Sequence, residues 1–236
     1  MPVDKSEQRV RQMFGEIAER YDLLNHLLSL NVDRYWRWQT VRRVPPGLQG
    51  PILDICTGTA DLALAYHKAT LGHVPIIAAD FSHPMLVRGD QKGRQIEGRR
   101  NLHFVEADAQ QLPFDDAQFQ LVTVAFGLRN VTDTDRGLRE MARVCRPGGK
   151  VAVLEFSMPT QPGLKQLYQF YFRHVLPRIG QALARNRSDA YNYLPSSVQE
   201  FPSGEALCDR MRGAGLSTAR HVPLTLGVAT LYIGTK

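Results

Sequence analysis

Pro51-Ile-Leu-Asp-Ile-Cys-Thr-Gly-Thr-Ala-Asp61 runs an apolar strand into a small, sharply turning loop and then into the helical pattern Leu62, Ala65, Tyr66. Such a junction is a binding device. Gly58 permits a backbone conformation or a close approach that a Cβ would obstruct, and the following helix offers unpaired N–H groups to an acceptor. Asp80 closes a second apolar run, Val74-Pro-Ile-Ile-Ala-Ala-Asp80, a little over twenty residues beyond Gly58. That spacing suits a carboxylate accepting from both ribose hydroxyls of a nucleoside. Ala60 and Leu62 stand where a dinucleotide fingerprint has glycine, so no pyrophosphate cradle is evident. The pair reads as a binder of an adenosine cofactor without phosphates, S-adenosylmethionine above all. The alternative is a tight turn with a strand-end cap.

The elements that must position these residues alternate. Strands are expected around 51–55, 75–79, 102–106, 119–125 and 150–156, with helical patterns between them, which predicts a doubly wound parallel sheet. Val10, Met13, Phe14, Ile17, Tyr21 and Leu24 recur at helical spacing and predict one amphipathic N-terminal helix. Tyr35, Trp36 and Trp38 lead to Pro45-Pro46-Gly47, a connector into the first strand. Thr132-Asp133-Thr134-Asp135 offers N-caps for a helix with Leu138, Met141, Ala142 and Cys145 on its apolar face, stopped by Arg146-Pro147-Gly148-Gly149. Residues 159–202 read as an inserted helical cover, with Leu164, Leu167, Tyr168, Tyr171, Phe172 and Val175 at helical intervals. A helix near 203–214 and strands near 217–222 and 228–234, joined through Leu226-Gly227, complete the chain. The parts are thus 1–49, an N-terminal helical lid; 50–158, the cofactor-binding core; 159–202, the cover; and 203–236, the last helix and strands.

With 236 residues and 43% hydrophobic composition, the chain fills one α/β core. Cys56, Cys145 and Cys208 form no CxxC pair and are odd in number, suggesting neither a zinc site nor a disulfide framework and fitting a reducing cytosol. There is no signal-peptide core and no uninterrupted apolar stretch long enough to span a bilayer. The net charge of +6 and pI of about 9.4 admit nucleic acid or an anionic membrane surface as partner, or a merely solvated surface.

Several further blocks carry a resemblance. Tyr21-Asp-Leu-Leu-Asn25 with Ser29 and Trp36, Leu112-Pro-Phe114, Phe126-Gly-Leu-Arg-Asn-Val131, Arg143-Val-Cys-Arg-Pro-Gly-Gly-Lys-Val-Ala-Val-Leu-Glu-Phe-Ser157, Ala190-Tyr-Asn-Tyr-Leu-Pro-Ser-Ser-Val198 and Phe201-Pro202 resemble the ubiquinone/menaquinone biosynthesis C-methyltransferases. The likeness spans roughly residues 8 to 234. It departs at Asp33, where that family usually has histidine, and at Ala60, which replaces a frequent glycine. The resemblance implies a class I S-adenosylmethionine-dependent methyltransferase fold, a seven-stranded doubly wound sheet with a reversed terminal strand, N-terminal helices and an inserted helical lid. It implies methyl transfer to a ring carbon of a polyprenyl hydroquinone, with cofactor contacts at Gly58, Thr59, Asp80, Asp108, Ala109 and Ala125 and no metal. For Asp108 the competing role is an N-cap.

A hydroquinone carbon becomes nucleophilic as its neighbouring hydroxyl loses a proton. With a phenol-like pKa of about 10, ionisation at pH 7 costs roughly 4 kcal/mol. An unpaired arginine about 4 Å away, at an effective dielectric near 20, offsets roughly as much before desolvation is counted. Arg129 is the candidate, with Asn130 and Tyr21 joining it in a water-assisted or directly electrostatic deprotonation. The competing roles are a helix cap or pairing with a nearby aspartate for Arg129 and a lid-packing aromatic for Tyr21.

Amino-group methylation of nucleic acid or protein would favour an Asn/Asp-Pro-Pro-aromatic run where Ala125-Phe-Gly-Leu-Arg-Asn130 stands, so no nucleic-acid partner is expected. Demethylmenaquinol is the expected substrate, because a short chain without an organellar presequence looks more like bacterial menaquinone enzymes. Ubiquinone-pathway benzoquinols, phytyl-naphthoquinols and non-quinone small molecules remain alternatives, as does a non-catalytic adenosine-binding module. Aromatics with Lys165, Arg173 and Arg178 suggest either peripheral contact with the inner face of the membrane by a cytoplasmic protein or an ordinary lid helix. A homodimer is a further expectation.

Overall fold

The computed structural model describes residues 4–18, 21–96, 99–159, 161–171 and 190–236. Apolar alternation with a period of two builds its centre: Leu53 and Ile55 face one side of the first strand and Ile52 the other, and all are buried. Burial on both faces is what a helix-covered, largely parallel sheet demands. The strands are β1 (Ile52–Ile55), β2 (Ile76–Asp80), β3 (Leu102–Glu106), β4 (Phe119–Ala125), β5 (Cys145–Phe156), β6 (Thr218–Leu224) and β7 (Ala229–Thr235). They pair in the order β3-β2-β1-β4-β5-β7-β6, and β7 runs antiparallel to both its neighbours. The expected terminal hairpin is therefore present, turning through Thr225–Gly227 with Leu226 and Gly227 at positive φ.

The helices are α1 (Glu7–Ile17), α2 (Tyr21–Leu28), α3 (Val32–Arg43), α4 (Asp61–Ala69), α5 (His83–Gly93), α6 (Thr134–Val144), α7 (Leu164–Phe170), α8 (Ala190–Glu200) and α9 (Glu205–Gly213). On one face Leu138 and Met141 of α6 and Leu207 and Met211 of α9 pack on Val122, Val124, Val151 and Val153. On the other, Trp36 of α3 and Leu62, Ala63 and Tyr66 of α4 cover Ile52, Ile76, Leu121 and Leu154. Asp133 caps α6 as expected, its carboxylate accepting from the Arg136 N–H at 2.9 Å.

Two expectations are corrected. The apolar run from Val10 to Leu24 forms two helices rather than one, so Tyr21 begins α2 instead of continuing α1. Periodicity cannot show a break between two consecutive stretches that both keep helical spacing. Cys145 is not on the α6 face: its φ/ψ of −75/131 is extended and it pairs with Phe119 as the first residue of β5. Pro147 cannot donate to a helix and disfavours helical geometry just before it, so the chain leaves α6 early. The ladder then resumes at Leu121 with Lys150, and Arg146–Gly149 bulges between the two pairs. Phe172, Arg173, Val175 and Arg178 of the expected cover lie outside the described residues.

Candidate active site

The loop between β1 and α4 turns because Cys56, Gly58 and Ala60 all hold positive φ, at 47°, 57° and 68°. Its shape is fastened to β2. The Gly58 N–H donates to Asp80 Oδ2 and the Ser82 N–H to Asp80 Oδ1, each at 2.8 Å. Every carboxylate oxygen has a second lone pair, so Asp80 can cap the turn and still accept from a ligand; both roles foreseen for it are compatible. Burial pushes the Asp80 carboxyl up to about 6, against the pull of the Ser82 and Gly58 amides. Asp54 is pushed up to about 6 by burial as well, although the Thr57 and Thr123 hydroxyls donate to it at 2.6 and 2.7 Å.

This loop and the carboxyl ends of β1, β2 and β4 enclose a crevice. Gly58, Thr59, Asp80, Asp108, Ala109 and Ala125 all line it, together with Tyr21 and Asn130. The Thr59 hydroxyl is already engaged, donating to Asp22 Oδ1 of α2 and accepting from Lys92 Nζ at 3.2 Å. Lys92 also holds Asp22 Oδ2 at 2.8 Å. Asp108 Oδ1 accepts from the Gln110 N–H at 2.9 Å, so its capping role is present alongside its place on the crevice wall. Five carboxylates, Glu7, Asp54, Asp61, Asp80 and Asp108, line the crevice with one guanidinium, Arg37. In a protein of net charge +6 this is a local reversal of sign. It suits a positively charged nucleoside and repels a pyrophosphate.

A second cavity of about 480 Å³ adjoins the first, and Phe14, Tyr21, Arg37 and Phe126 line both. Its walls are mainly aromatic. The Phe126 and Phe156 rings lie 4.5 Å apart, and Trp36 is 5.8 Å from each. Arg129 lines this cavity rather than the crevice, whereas Asn130, its neighbour, lines the crevice.

The premise of an unpaired Arg129 is corrected. Its Nη1 lies 2.8 Å from Glu155 Oε2 and also donates to the Phe126 carbonyl, and its backbone N–H donates to Glu155 Oε1 at 3.1 Å. The side chains are 7% and 0% exposed, making this a buried ion pair that holds the 128–130 turn over β5. Glu155 cancels part of the cation's field, so the full Coulombic offset expected of a free arginine is not available. Arg129 Nε and Asn130 Oδ1 are nevertheless buried without a hydrogen-bond partner among the described residues. Burial raises the Tyr21 phenol, with Arg129 and Arg37 opposing it, so Tyr21 stays protonated at neutral pH and is able to donate.

Glu155, Asp54 and Arg37 were missed as site residues. The signal for the first two was a carboxylate inside an otherwise apolar strand, Val-Leu-Glu155-Phe and Ile-Leu-Asp54-Ile. Burying such a charge requires a partner or a purpose. Arg37 gave no comparable signal. It bridges Asp33 Oδ2 at 2.5 Å and Asp61 Oδ2 at 3.4 Å and stacks 5.6 Å over Phe126.

The sequence profile of the ubiE/COQ5 methyltransferase family matches residues 3–236. The chain is 46% identical over 229 residues to the ubiquinone/menaquinone biosynthesis C-methyltransferase UbiE of Geobacter sp. (strain M21), covering 97% of each. It is 44% identical over 231 residues to the demethylmenaquinone methyltransferase of Deinococcus radiodurans, covering 97% of this chain and 93% of that one. Among solved structures, it superposes on a SAM-dependent methyltransferase from Thermotoga maritima with a TM-score of 0.64 at 18% identity, covering 95% and 98% of the two chains. A SAM-dependent methyltransferase from Aquifex aeolicus gives a TM-score of 0.59 at 15% identity, with 84% and 88% covered. The fold is the class I S-adenosylmethionine-dependent methyltransferase fold.

Proposed function

We propose that this chain, which belongs to the ubiE/COQ5 methyltransferase family, methylates a ring carbon of demethylmenaquinol to give menaquinol. The broader activity, S-adenosylmethionine-dependent C-methylation of a quinone-type ring, comes with the family. One observation carries the reading: an acid-walled crevice for a cationic nucleoside shares a wall with an aromatic cavity large enough for a fused ring. A benzoquinol of the ubiquinone pathway is the second reading, because similar proteins carry both biosyntheses, ubiquinone and menaquinone, in their names.

S-adenosylmethionine, when bound, supplies a sulfonium methyl that is already electrophilic. The residues present fit it: Asp80 stands ready to accept from ribose hydroxyls, and the carboxylates favour the sulfonium charge. The protein's remaining task is to align and activate the ring. Trp36, Phe126 and Phe156 hold its faces and exclude water. Tyr21 donates to the oxygen beside the reacting carbon, the free Nε of Arg129 stabilises charge forming there, and Asn130 orients a water that carries the proton away. Leu30 and Leu167 line the cavity and are 80% and 65% exposed, and Phe170 is 58% exposed, which supports a peripheral lipid contact from which a prenyl tail would enter. Among the described residues no helix is long and apolar enough to cross a membrane.

The deciding assay offers the purified protein S-adenosylmethionine with demethylmenaquinol or the demethylated benzoquinol. Methyl transfer to the naphthoquinol at a clearly higher kcat/KM supports the proposal, and preference for the benzoquinol replaces it with the second reading.

A further inference from the structure

Resting on the methyltransferase reading above, we infer that the Tyr193 hydroxyl binds the far oxygen of the hydroquinone, the one across the ring from the hydroxyl that activates it, and so sets the substrate's register in the cavity. Tyr193 lies on α8 and is 7% exposed, packed with Met13 and Ile17 of α1 in one buried cluster. It lines the aromatic cavity, in the field of Arg129. Its hydroxyl is buried without a hydrogen-bond partner among the described residues. A buried phenol left unpaired is costly, and a phenylalanine would fill the same space without that cost. The position therefore makes physical sense for a polar oxygen arriving from the cavity. Tyr21 and Arg129 line the same cavity. A 1,4-hydroquinone presents two oxygens on opposite sides of its ring, one to be met by Tyr21 and Arg129 and the other by Tyr193.

The roles of the two donors differ. The accepting carbon is ortho to the activating oxygen and meta to the far one, so negative charge develops on the first and not on the second. A hydrogen bond to the far oxygen has equal strength in the ground and transition states, and losing it raises KM with little change in kcat. Tyr193 is protonated for this task, because burial raises its phenol.

The test is Tyr193→Phe in the full chain, with four measurements: KM and kcat for the quinol, affinity for S-adenosylmethionine, thermal midpoint, and anaerobic affinity for 1,4-naphthohydroquinone read by quenching of tryptophan fluorescence. The expected result is a roughly tenfold rise in KM and an equal weakening of the probe, from the loss of one hydrogen bond. kcat should stay within about twofold, donor affinity should be unchanged, and the midpoint should be equal or higher because an unpaired hydroxyl has gone. Unchanged KM and probe affinity would overturn the inference. So would a variant that loses midpoint and donor affinity along with activity, since the ring's packing would then be its whole role. If wild type binds donor and probe but methylates no quinol, the methyltransferase reading falls while the probe affinities still decide Tyr193. If wild type binds no probe, both fall.

Discussion

Arg129 and Glu155 show how a catalytic candidate can be tied to stability. Replacing Arg129 by methionine strands a fully buried carboxylate, which should destabilise the protein by about 3–5 kcal/mol and confuse any loss of turnover with loss of fold. The Arg129→Met/Glu155→Gln double variant should recover most of the thermal midpoint while kcat stays about 100-fold or more below wild type. Near-normal turnover in a stable double variant would remove Arg129 from the mechanism. Asp54 and Asp80 act on pH dependence. Both carboxyls are raised to about 6 from 3.8, so the folded state holds their protons more tightly than the unfolded chain. Their stabilisation is complete below the unfolded value and is lost as pH rises through the folded one. Asp33 and Asp61 are lowered despite burial, by Ser29 and Arg37 for the first and by Arg37 and Lys92 for the second, and act in the opposite sense. The thermal midpoint of the ligand-free protein should rise as pH falls from about 7.5 to about 5, then decline below about 4. Asp80→Asn should flatten the upper part of that rise.

Among the elements, the β1–α4 loop was the most legible in sequence, because a glycine after an apolar strand and an acid at the end of the next strand are both local signals. Its backbone was only partly so. Ala60 adopts φ 68°, a conformation that strains any residue with a Cβ. Ala60→Gly should therefore be neutral or stabilising by up to about 1 kcal/mol in denaturant titration, the relief of strain being offset by the freedom glycine has when unfolded. Gly127 is the opposite case: a Cβ there would stand 2.4 Å from the Cys56 Cβ. Gly127→Ala should lower the unfolding free energy by about 1–3 kcal/mol and weaken donor binding, because it pushes the β4 turn against the crevice loop. The sheet strands could be read to within two residues except β5, whose first residues form a bulge that only its pairing with β4 defines. The split between α1 and α2 and the pairing of Arg129 with Glu155 depend on tertiary contacts, about which local pattern is silent.

Across the whole molecule, a cofactor site at the strand ends, an N-terminal lid and a helical cover are what the sequence leads one to expect, but the charge contrast between crevice and cavity is not. That contrast appears only when residues from α1, β1, the start of α4, β2 and the turn after β3 are brought together. The exposed Leu30, Leu167 and Phe170 predict a further split. Replacing all three by serine should lower activity on long-tailed quinol in vesicles several-fold while leaving a water-soluble short-tailed analogue unaffected, as expected if they guide a lipid tail. Equal activity on both would argue against the lipid contact.

The acidic wall also bears on what happens after chemistry. Once its methyl has departed, the spent carrier is a neutral thioether at sulfur and has lost the attraction that helped hold its precursor. The same carboxylates that favour loading should thus ease unloading, and weak product inhibition is expected without any moving part. Calorimetry should find S-adenosylhomocysteine the weaker ligand, with the gap narrowing as salt screens the wall.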